Sequence, residues 1–256
     1  MSTILFLHAH PDDEAIFTGG TIALLAERGH RAVVVFATSG ELGRGAGDRL
    51  RDVRRAEALA ACGHLGVGTV VFLDHRDSGE RSRTDRHPDA FVEAPVDEAA
   101  ERVAEVAAAV TADALVTYDA GGVYGHPDHV HAHHVGRRAA ELAGLPTWYE
   151  VTVDREHLHF VDTHVAALAG RSIMPTPIVG LTTVEISTTV DVSSALAPKL
   201  RAIGEHRSQV GDPTFGTGER FDDVYGLEWY VRHGVRGAID DLGLRSAARP
   251  ALQLVR

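Results

Sequence analysis

Thr3-Ile4-Leu5-Phe6-Leu7 runs without a break into His8-Ala9-His10-Pro11-Asp12-Asp13-Glu14. The first run is short and apolar, as a buried strand requires. The second sets two imidazoles and three carboxylates where that strand ends. That much charge does not leave water without a partner, and a divalent cation is the natural one. A second polar knot, Gly125-His126-Pro127-Asp128-His129, follows another apolar run far downstream.

Working outward, short apolar runs alternate with longer amphipathic segments. The pattern predicts strands over 3–8, 31–38, 69–74, 113–118 and 147–152, and helices over 15–28, 49–63, 96–111 and 128–143. Val33-Val34-Val35-Phe36 is continuously apolar, as in a strand covered on both faces. Val103, Val106, Ala107 and Val110 recur at helical spacing, and Gly29 and Gly144 stand just past helix ends. This β-α-β-α order implies an α/β fold: a Rossmann-like, doubly wound, mainly parallel sheet with helices on both faces. Ligands of such sheets bind beyond the carboxyl ends of the strands, where both polar knots fall. If the first and fourth strands are neighbours, the knots meet.

A single domain over 1–256 is expected, with a Rossmann-like core over 1–152 and a small C-terminal elaboration over 170–256 that walls the cleft. In that elaboration Pro175 and Pro177 mark a loop. Val184–Val192 reads as a strand, Ala195–His206 as a helix and Tyr225–His233 as a short helix. Residues 78–95, rich in charge and proline, read as a surface loop and a candidate lid.

The formal net charge of −11 argues against nucleic acid as a partner. Arg51, Arg54 and Arg55, and Arg81, Arg83 and Arg86, are local clusters only. The lone Cys62 permits neither an intrachain disulfide nor a thiolate zinc site. No apolar run is long enough to cross a membrane, and the first residues carry no basic leader, so a cytoplasmic enzyme with no membrane partner is expected. The oligomeric state is left open.

His10, Asp13 and His129 form a His₂Asp set suited to Zn²⁺, with a fourth position for water; Fe²⁺ suits the same donors. Asp12 then remains free beside the metal to take a proton from that water. His126, as an imidazolium, would stabilise an oxyanion or protonate a leaving amine. Each piece also has a plain reading. Asp12-Asp13 is an ordinary helix N-cap pattern, and His126, His129, His131, His133 and His134 are compatible with a solvated helix face. Rival ligand sets are His129 with His133, His8 with His10, and His157, His159 and His164.

His10-Pro11-Asp12-Asp13-Glu14, Thr38-Ser39-Gly40-Glu41-Leu42-Gly43 and Gly125-His126-Pro127-Asp128-His129 resemble the signatures of the LmbE-like (PIG-L) N-acetylglucosaminyl deacetylase family. Arg54-Arg55-Ala56-Glu57-Ala58, Asp77-Ser78-Gly79, Tyr118-Asp119 and Glu205-His206-Arg207-Ser208-Gln209 add to the likeness, in the family's order. The resemblance implies His10, Asp13 and His129 as metal ligands, Asp12 as general base, and His126 as the group that stabilises or protonates. It implies further that Asp128 orients His126 and that Tyr124 faces the oxyanion. Zn²⁺ is the usual metal of the family, and N-acyl amino sugars are its substrates. Gly121-Gly122-Val123-Tyr124 resembles the mycothiol-pathway branch, whose members deacetylate N-acetylglucosaminyl-inositol or cleave mycothiol S-conjugates.

A hydroxyl-rich sugar needs fixed donors and acceptors, for which Arg54, Asp77, Glu41 and Asp119 are candidates. The expected activity is removal of an acyl group from a small-molecule N-acyl amino sugar or its glycoside. Two other readings share the motifs: a metal-dependent amidase for a thiol conjugate or antibiotic intermediate, and a non-catalytic sugar- or metal-binding module. The free carboxylate of Asp12 argues against the last, because a binder has no use for a base beside its metal.

Overall fold

The computed structural model describes residues 1–45, 49–80, 84–161, 179–210 and 221–244. Its strands are β1 (Thr3–His8), β2 (Arg31–Thr38), β3 (Thr69–His75), β4 (Ala114–Tyr118), β5 (Thr147–Thr152), β6 (Thr188–Asp191) and β7 (Leu227–Gly234). They form one sheet in the order β3-β2-β1-β4-β5-β7-β6. β1 to β5 run parallel, and β7 and β6 add antiparallel strands at the β5 edge. Every residue of β1 is buried, because β2 and β4 flank it and helices cover both faces. The chain winds from β1 outward to β3, then crosses back to β4. The carboxyl ends of β1 and β4 therefore lie side by side at the switch point.

The helices are α1 (Asp13–Phe17), α2 (Gly19–Glu27), α3 (Leu50–Leu65), α4 (Val96–Ala109), α5 (Gly122–Gly125), α6 (Pro127–Leu142), α7 (Arg155–Val161), α8 (Leu196–Glu205), α9 (Phe221–Tyr225) and α10 (Ala238–Leu242). α2, α3 and α8 pack together, and α4 packs on α6. α6 begins with Pro127 in its first turn, where a missing N–H costs nothing. Among the described residues no helix is long and apolar enough to cross a membrane.

Three expectations are corrected. The helix expected over 15–28 is two helices broken at Thr18. Gly19-Gly20 is a poor helix interior, and Glu228 of β7 accepts the Gly20 and Thr21 N–H groups, each at 2.8 Å, so a new helix starts there. Tyr225–His233 is not a helix: Leu227–Gly234 is the strand β7. It pairs with the edge of β5, which would otherwise show open backbone groups, and with β6 on its other side. The strand expected over Val184–Val192 is confined to Thr188–Asp191.

The expected loop over 78–95 is partly anchored. Phe91 and Ala90 are buried, Phe91–Glu93 forms a 3-10 turn, and Val92 N–H donates to Ser78 Oγ at 3.1 Å. Pro175, Pro177, His164, Arg81 and Arg83 lie outside the described residues.

Candidate metal centre and cleft

Just past β1 the chain turns at Pro11-Asp12, and Asp12 takes φ 116°, a region that residues with a Cβ avoid. Three contacts hold this turn. Arg54 Nη2 donates to the Pro11 carbonyl, and Arg54 Nη1 donates to the Gly40 carbonyl at 2.7 Å. Asp12 N–H donates to Glu14 Oε2 at 2.9 Å. Arg54 is itself buried, and its Nη2 lies 3.3 Å from Asp12 Oδ1.

Asp13 opens α1 and aims its carboxylate back toward β4. Its Oδ2 accepts from Tyr118 O–H at 2.8 Å and from the His10 N–H at 3.0 Å. The same oxygen lies 3.4 Å from His10 Nδ1 and 3.3 Å from His129 Nε2. Tyr118 also accepts from Ala9 N–H at 2.9 Å, and its ring stacks on that of His129 with centroids 4.1 Å apart. Tyr118 thus braces two candidate ligands. Its one signal in the sequence is a polar-tipped ring at the end of the mostly apolar Ala114-Leu115-Val116-Thr117 run.

Charge in this pocket is strongly perturbed. Burial, and then the charge of Asp13, push the Asp12 carboxyl up to about 7, against the pull of Arg54. Burial acts the same way on Asp13, but His129 and His10 outweigh it and hold Asp13 well below the usual carboxylate range. Burial would depress His10, yet hydrogen bonds to Asp128 and Asp13 and the charge of Asp77 raise it well above the ordinary histidine value. Burial, aided by His10 and His129, drives His126 down to about 4. His126 is therefore neutral, not the imidazolium expected from sequence. Its Nδ1 accepts from Asp128 N–H at 3.2 Å, which leaves the proton on Nε2.

The carboxylate of Asp128 does not orient His126. Its Oδ2 accepts from His10 Nε2 at 3.0 Å and from Ser78 N–H at 3.0 Å. Only its backbone N–H reaches His126. The reason is geometric: Asp128 is in the first turn of α6 and its side chain is buried toward β1, whereas His126 caps the helix from outside.

These residues fit a divalent cation. Tetrahedral zinc sites with nitrogen ligands near 2.0–2.1 Å have ligand–ligand edges of about 3.3 Å, and the Asp13 oxygen sits at 3.3 and 3.4 Å from the two imidazole nitrogens. The raised His10 shows that the surrounding carboxylates already call for positive charge. A cation would displace that proton. Among the described residues, the groups whose donor atoms all lie within 4.8 Å of one another are His10 with His126 and His129, and His10 with Asp77 and Asp128; Asp13 adds its oxygen between His10 and His129. The group with Asp77 and Asp128 uses His10 Nε2, which Asp128 engages as a carboxylate behind a ligating histidine would.

The site floors a cleft of about 750 Å³, lined by His10, Asp12, Arg54, Asp77, Tyr124 and His126, with Leu42–Arg44, Gly79–Glu80 and Gln209 as outer wall. Small-molecule clefts span roughly 300–1,000 Å³. Tyr124 Oη is 3.5 Å from His129 Nε2, and partial desolvation at the cleft wall, with the charges of Asp13 and Asp12, raises its phenol above the ordinary tyrosine value. Val123, before it, sits at φ 61°, a strained angle for a β-branched residue. Glu41 is not on the cleft wall. It stands behind Asp77, whose N–H it accepts at 3.1 Å. Asp119 is also turned inward, accepting from Val123 N–H at 2.9 Å.

His8, His133 and His157 of the rival sets have other partners, and His164 lies outside the described residues. His8 is a packed core histidine, 3.0 Å from Thr18 Oγ1 and depressed by burial to about 4. His133 Nδ1 contacts the Tyr118 carbonyl at 3.0 Å and lies 3.5 Å from Glu150 Oε1. His157 Nε2 engages the Asp223 carbonyl at 2.9 Å.

The model of the PIG-L family, GlcNAc-PI de-N-acetylase, matches residues 5–140. A 1D-myo-inositol 2-acetamido-2-deoxy-alpha-D-glucopyranoside deacetylase of Actinosynnema mirum is 37% identical over 227 residues, covering 81% of this chain and 80% of its own. Among solved structures, N,N'-diacetylchitobiose deacetylase from Pyrococcus horikoshii aligns with TM-score 0.59 at 22% identity, covering 91% of this chain and 84% of its own. The 4-carboxy-2-hydroxymuconate hydratase GalB from Pseudomonas putida KT2440 aligns with TM-score 0.60 at 21% identity, covering 93% and 98%. One fold thus carries different chemistries, and these structural likenesses speak to architecture alone. The match of sequence over more than half the chain goes further: the chain belongs to the PIG-L family.

Proposed function

We propose that this chain is a metal-dependent N-deacetylase that hydrolyses the acetamide of an N-acetylated amino sugar glycoside. The observation that carries it is that Asp12, ionisable near neutrality, lies beside the His10–Asp13–His129 donors on the wall of an open cleft. The relative of Actinosynnema mirum, named for deacetylation of an inositol glycoside, supports that glycoside as substrate. A binding module would gain nothing from a second, raised carboxylate next to its ligands.

A divalent ion held by His10, Asp13 and His129, such as Zn²⁺, whose usual ligands these residue types are, would supply Lewis-acid polarisation of the amide carbonyl and acidify a water molecule. Asp12 accepts the proton of that water. Its raised affinity for protons lets it keep the proton through carbonyl attack and then hand it to the departing amine. His126 offers its Nε2–H, and Tyr124 its phenol O–H, to the oxygen that becomes negative as the carbonyl turns tetrahedral. Asp128 and Tyr118 do no chemistry; they hold His10, Asp13 and His129 in place. Asp77 and Arg54 present a carboxylate and a guanidinium edge to sugar hydroxyls. Water and amide are consumed; acetate and a primary amine are formed.

The test is incubation of the Zn²⁺-loaded protein with the inositol glycoside and with simple N-acetylglucosaminides, following acetate and primary amine together. Equal release of both is expected. No amide cleavage over a broad acylated panel, thiol conjugates included, would overturn the reading.

A further inference from the structure

The chemistry above leaves Glu205-His206-Arg207-Ser208-Gln209 unused, yet four of its five side chains reach three separate places: helix α3, Glu14 beside the centre, and the cleft wall at Arg44. Glu205 Oε1 meets His64 Nε2 of α3 at 3.0 Å. His206 Nε2 donates to Glu14 Oε1 at 2.6 Å, both residues being fully buried. Ser208 donates to Glu57 of α3 through its backbone N–H at 2.9 Å and its hydroxyl at 2.6 Å. Gln209 grips Arg44 twice, accepting its N–H at 2.8 Å and donating to its carbonyl at 3.0 Å. Glu205 and Ser208 anchor the segment to one rigid helix. His206 and Gln209 then project from it in two directions.

The two projections end at different places. Glu14, held by His206 through one carboxylate oxygen, uses the other to accept the N–H of Asp12. Asp12 is the residue in the strained φ 116° conformation, which persists only while its neighbours over-determine it. Gln209 ends instead on the outer wall. A side-chain amide that pairs with both polar groups of one residue mimics a strand partner and fixes that stretch of backbone. The approach is close: a Cβ at Gly43 would lie 2.3 Å from Gln209 Oε1 and 2.5 Å from Arg54 Nη1. Leu42, Gly43 and Arg44 all line the cleft, as does Gln209.

Building on the proposed deacetylase reading, we infer that this segment is a strut with two separable positioning duties: His206 holds the base Asp12 through Glu14, and Gln209 holds the substrate-facing wall Leu42–Arg44. Loss of the first duty misplaces the proton acceptor and lowers kcat. Loss of the second loosens the wall and raises KM. A segment that merely ties helices together would lower the amount of folded enzyme, which lowers apparent kcat in every variant and leaves KM alone, so kcat is taken per folded, zinc-loaded molecule.

The test compares His206→Ala, His206→Gln and Gln209→Ala as zinc-loaded enzymes. His206→Ala is expected to lower kcat by about tenfold or more with KM held within about twofold. His206→Gln, which keeps a donor for Glu14, is expected to recover kcat to within about threefold of the parent and covers the case in which the alanine variant fails to fold. Gln209→Ala is expected to raise KM about tenfold with kcat within about twofold. Amide hydrogen exchange supplies a readout independent of turnover. Gln209→Ala should deprotect the 40–45 stretch and leave 10–14 protected, and the His206 variants should do the reverse. An unchanged KM in Gln209→Ala, an unchanged kcat per folded molecule in His206→Ala, or loosening of both stretches in both variants, overturns the strut. An inactive parent enzyme overturns the deacetylase reading instead, and the exchange pattern still decides the strut.

Discussion

His10 Nε2 donates to Asp128 Oδ2 at 3.0 Å across 118 positions of sequence. This pair joins the two polar knots directly and leaves His10 Nδ1 facing Asp13. A carboxylate behind a ligating imidazole fixes its ring and raises its basicity, and losing it costs metal affinity roughly 10–100-fold. Asp128→Ala should therefore weaken zinc affinity by about that factor, read by competition with a chromophoric chelator. Unchanged affinity with an altered pH–rate profile would return Asp128 to the role of orienting His126.

Asp12→Asn should lower turnover by about 10²–10⁴-fold while bound zinc stays at the parent level. Metal content and turnover are measured on the same preparation. Turnover that survives with full metal would remove Asp12 as the base.

The pH dependence follows from the same residues. As a base, Asp12 must be ionised, so activity rises as pH climbs through its pKa, about 7 before a metal adds its charge. A cation nearby lowers that value, which puts the acid limb of kcat/KM at or below 7. His126, already neutral above about 4, adds no falling limb between pH 6 and 8. A basic limb near 7 that vanishes in His126→Gln would restore the imidazolium.

His206 links stability to pH. Burial opposes its protonation, but the charge and hydrogen bond of Glu14 prevail, and its folded-state pKa is raised. A raised folded-state value means a stabilising contribution that is complete below the unfolded pKa of about 6.5 and is lost as pH climbs through the folded-state value. The parent should thus lose more Tm than His206→Gln on going from pH 6 to pH 9. Parallel Tm curves would show that the Glu14–His206 pair is not ionic.

Gly20 lies against Val192, and a Cβ there would meet Val192 Cβ at 2.4 Å. Gly20→Ala should destabilise by about 1–3 kcal/mol through overpacking at the start of α2. Urea unfolding of Gly20→Ala and of Gly20→Ala with Val192→Ala checks this; the second change should recover part of the loss.

Of the five parallel strands, β1 and β2 were the most legible, because a strand buried on both faces is apolar along its middle, and Ile4–Leu7 and Val33–Phe36 are. The break at Thr18 was not legible, since it depends on Glu228 arriving from another part of the chain to cap α2. Nor was β7, whose Trp229-Tyr230-Val231 becomes a strand only because β5 offers an unpaired edge. Both depend on a partner, which no local pattern carries.

The amino-acid sequence by itself determined the α/β layering and the two polar knots at strand ends, because hydrophobic period and strand length are local properties. The tertiary structure alone decided what the side chains in those knots do. It turned the Asp128 carboxylate from His126 to His10, kept His126 neutral by burial, set Glu41 behind Asp77, and brought Tyr118 and His206 into support of the centre. The reason is physical. A carboxylate or imidazole takes its charge and its partner from whatever lies within about 3 Å once water is gone, and that neighbour is most often a residue distant along the chain.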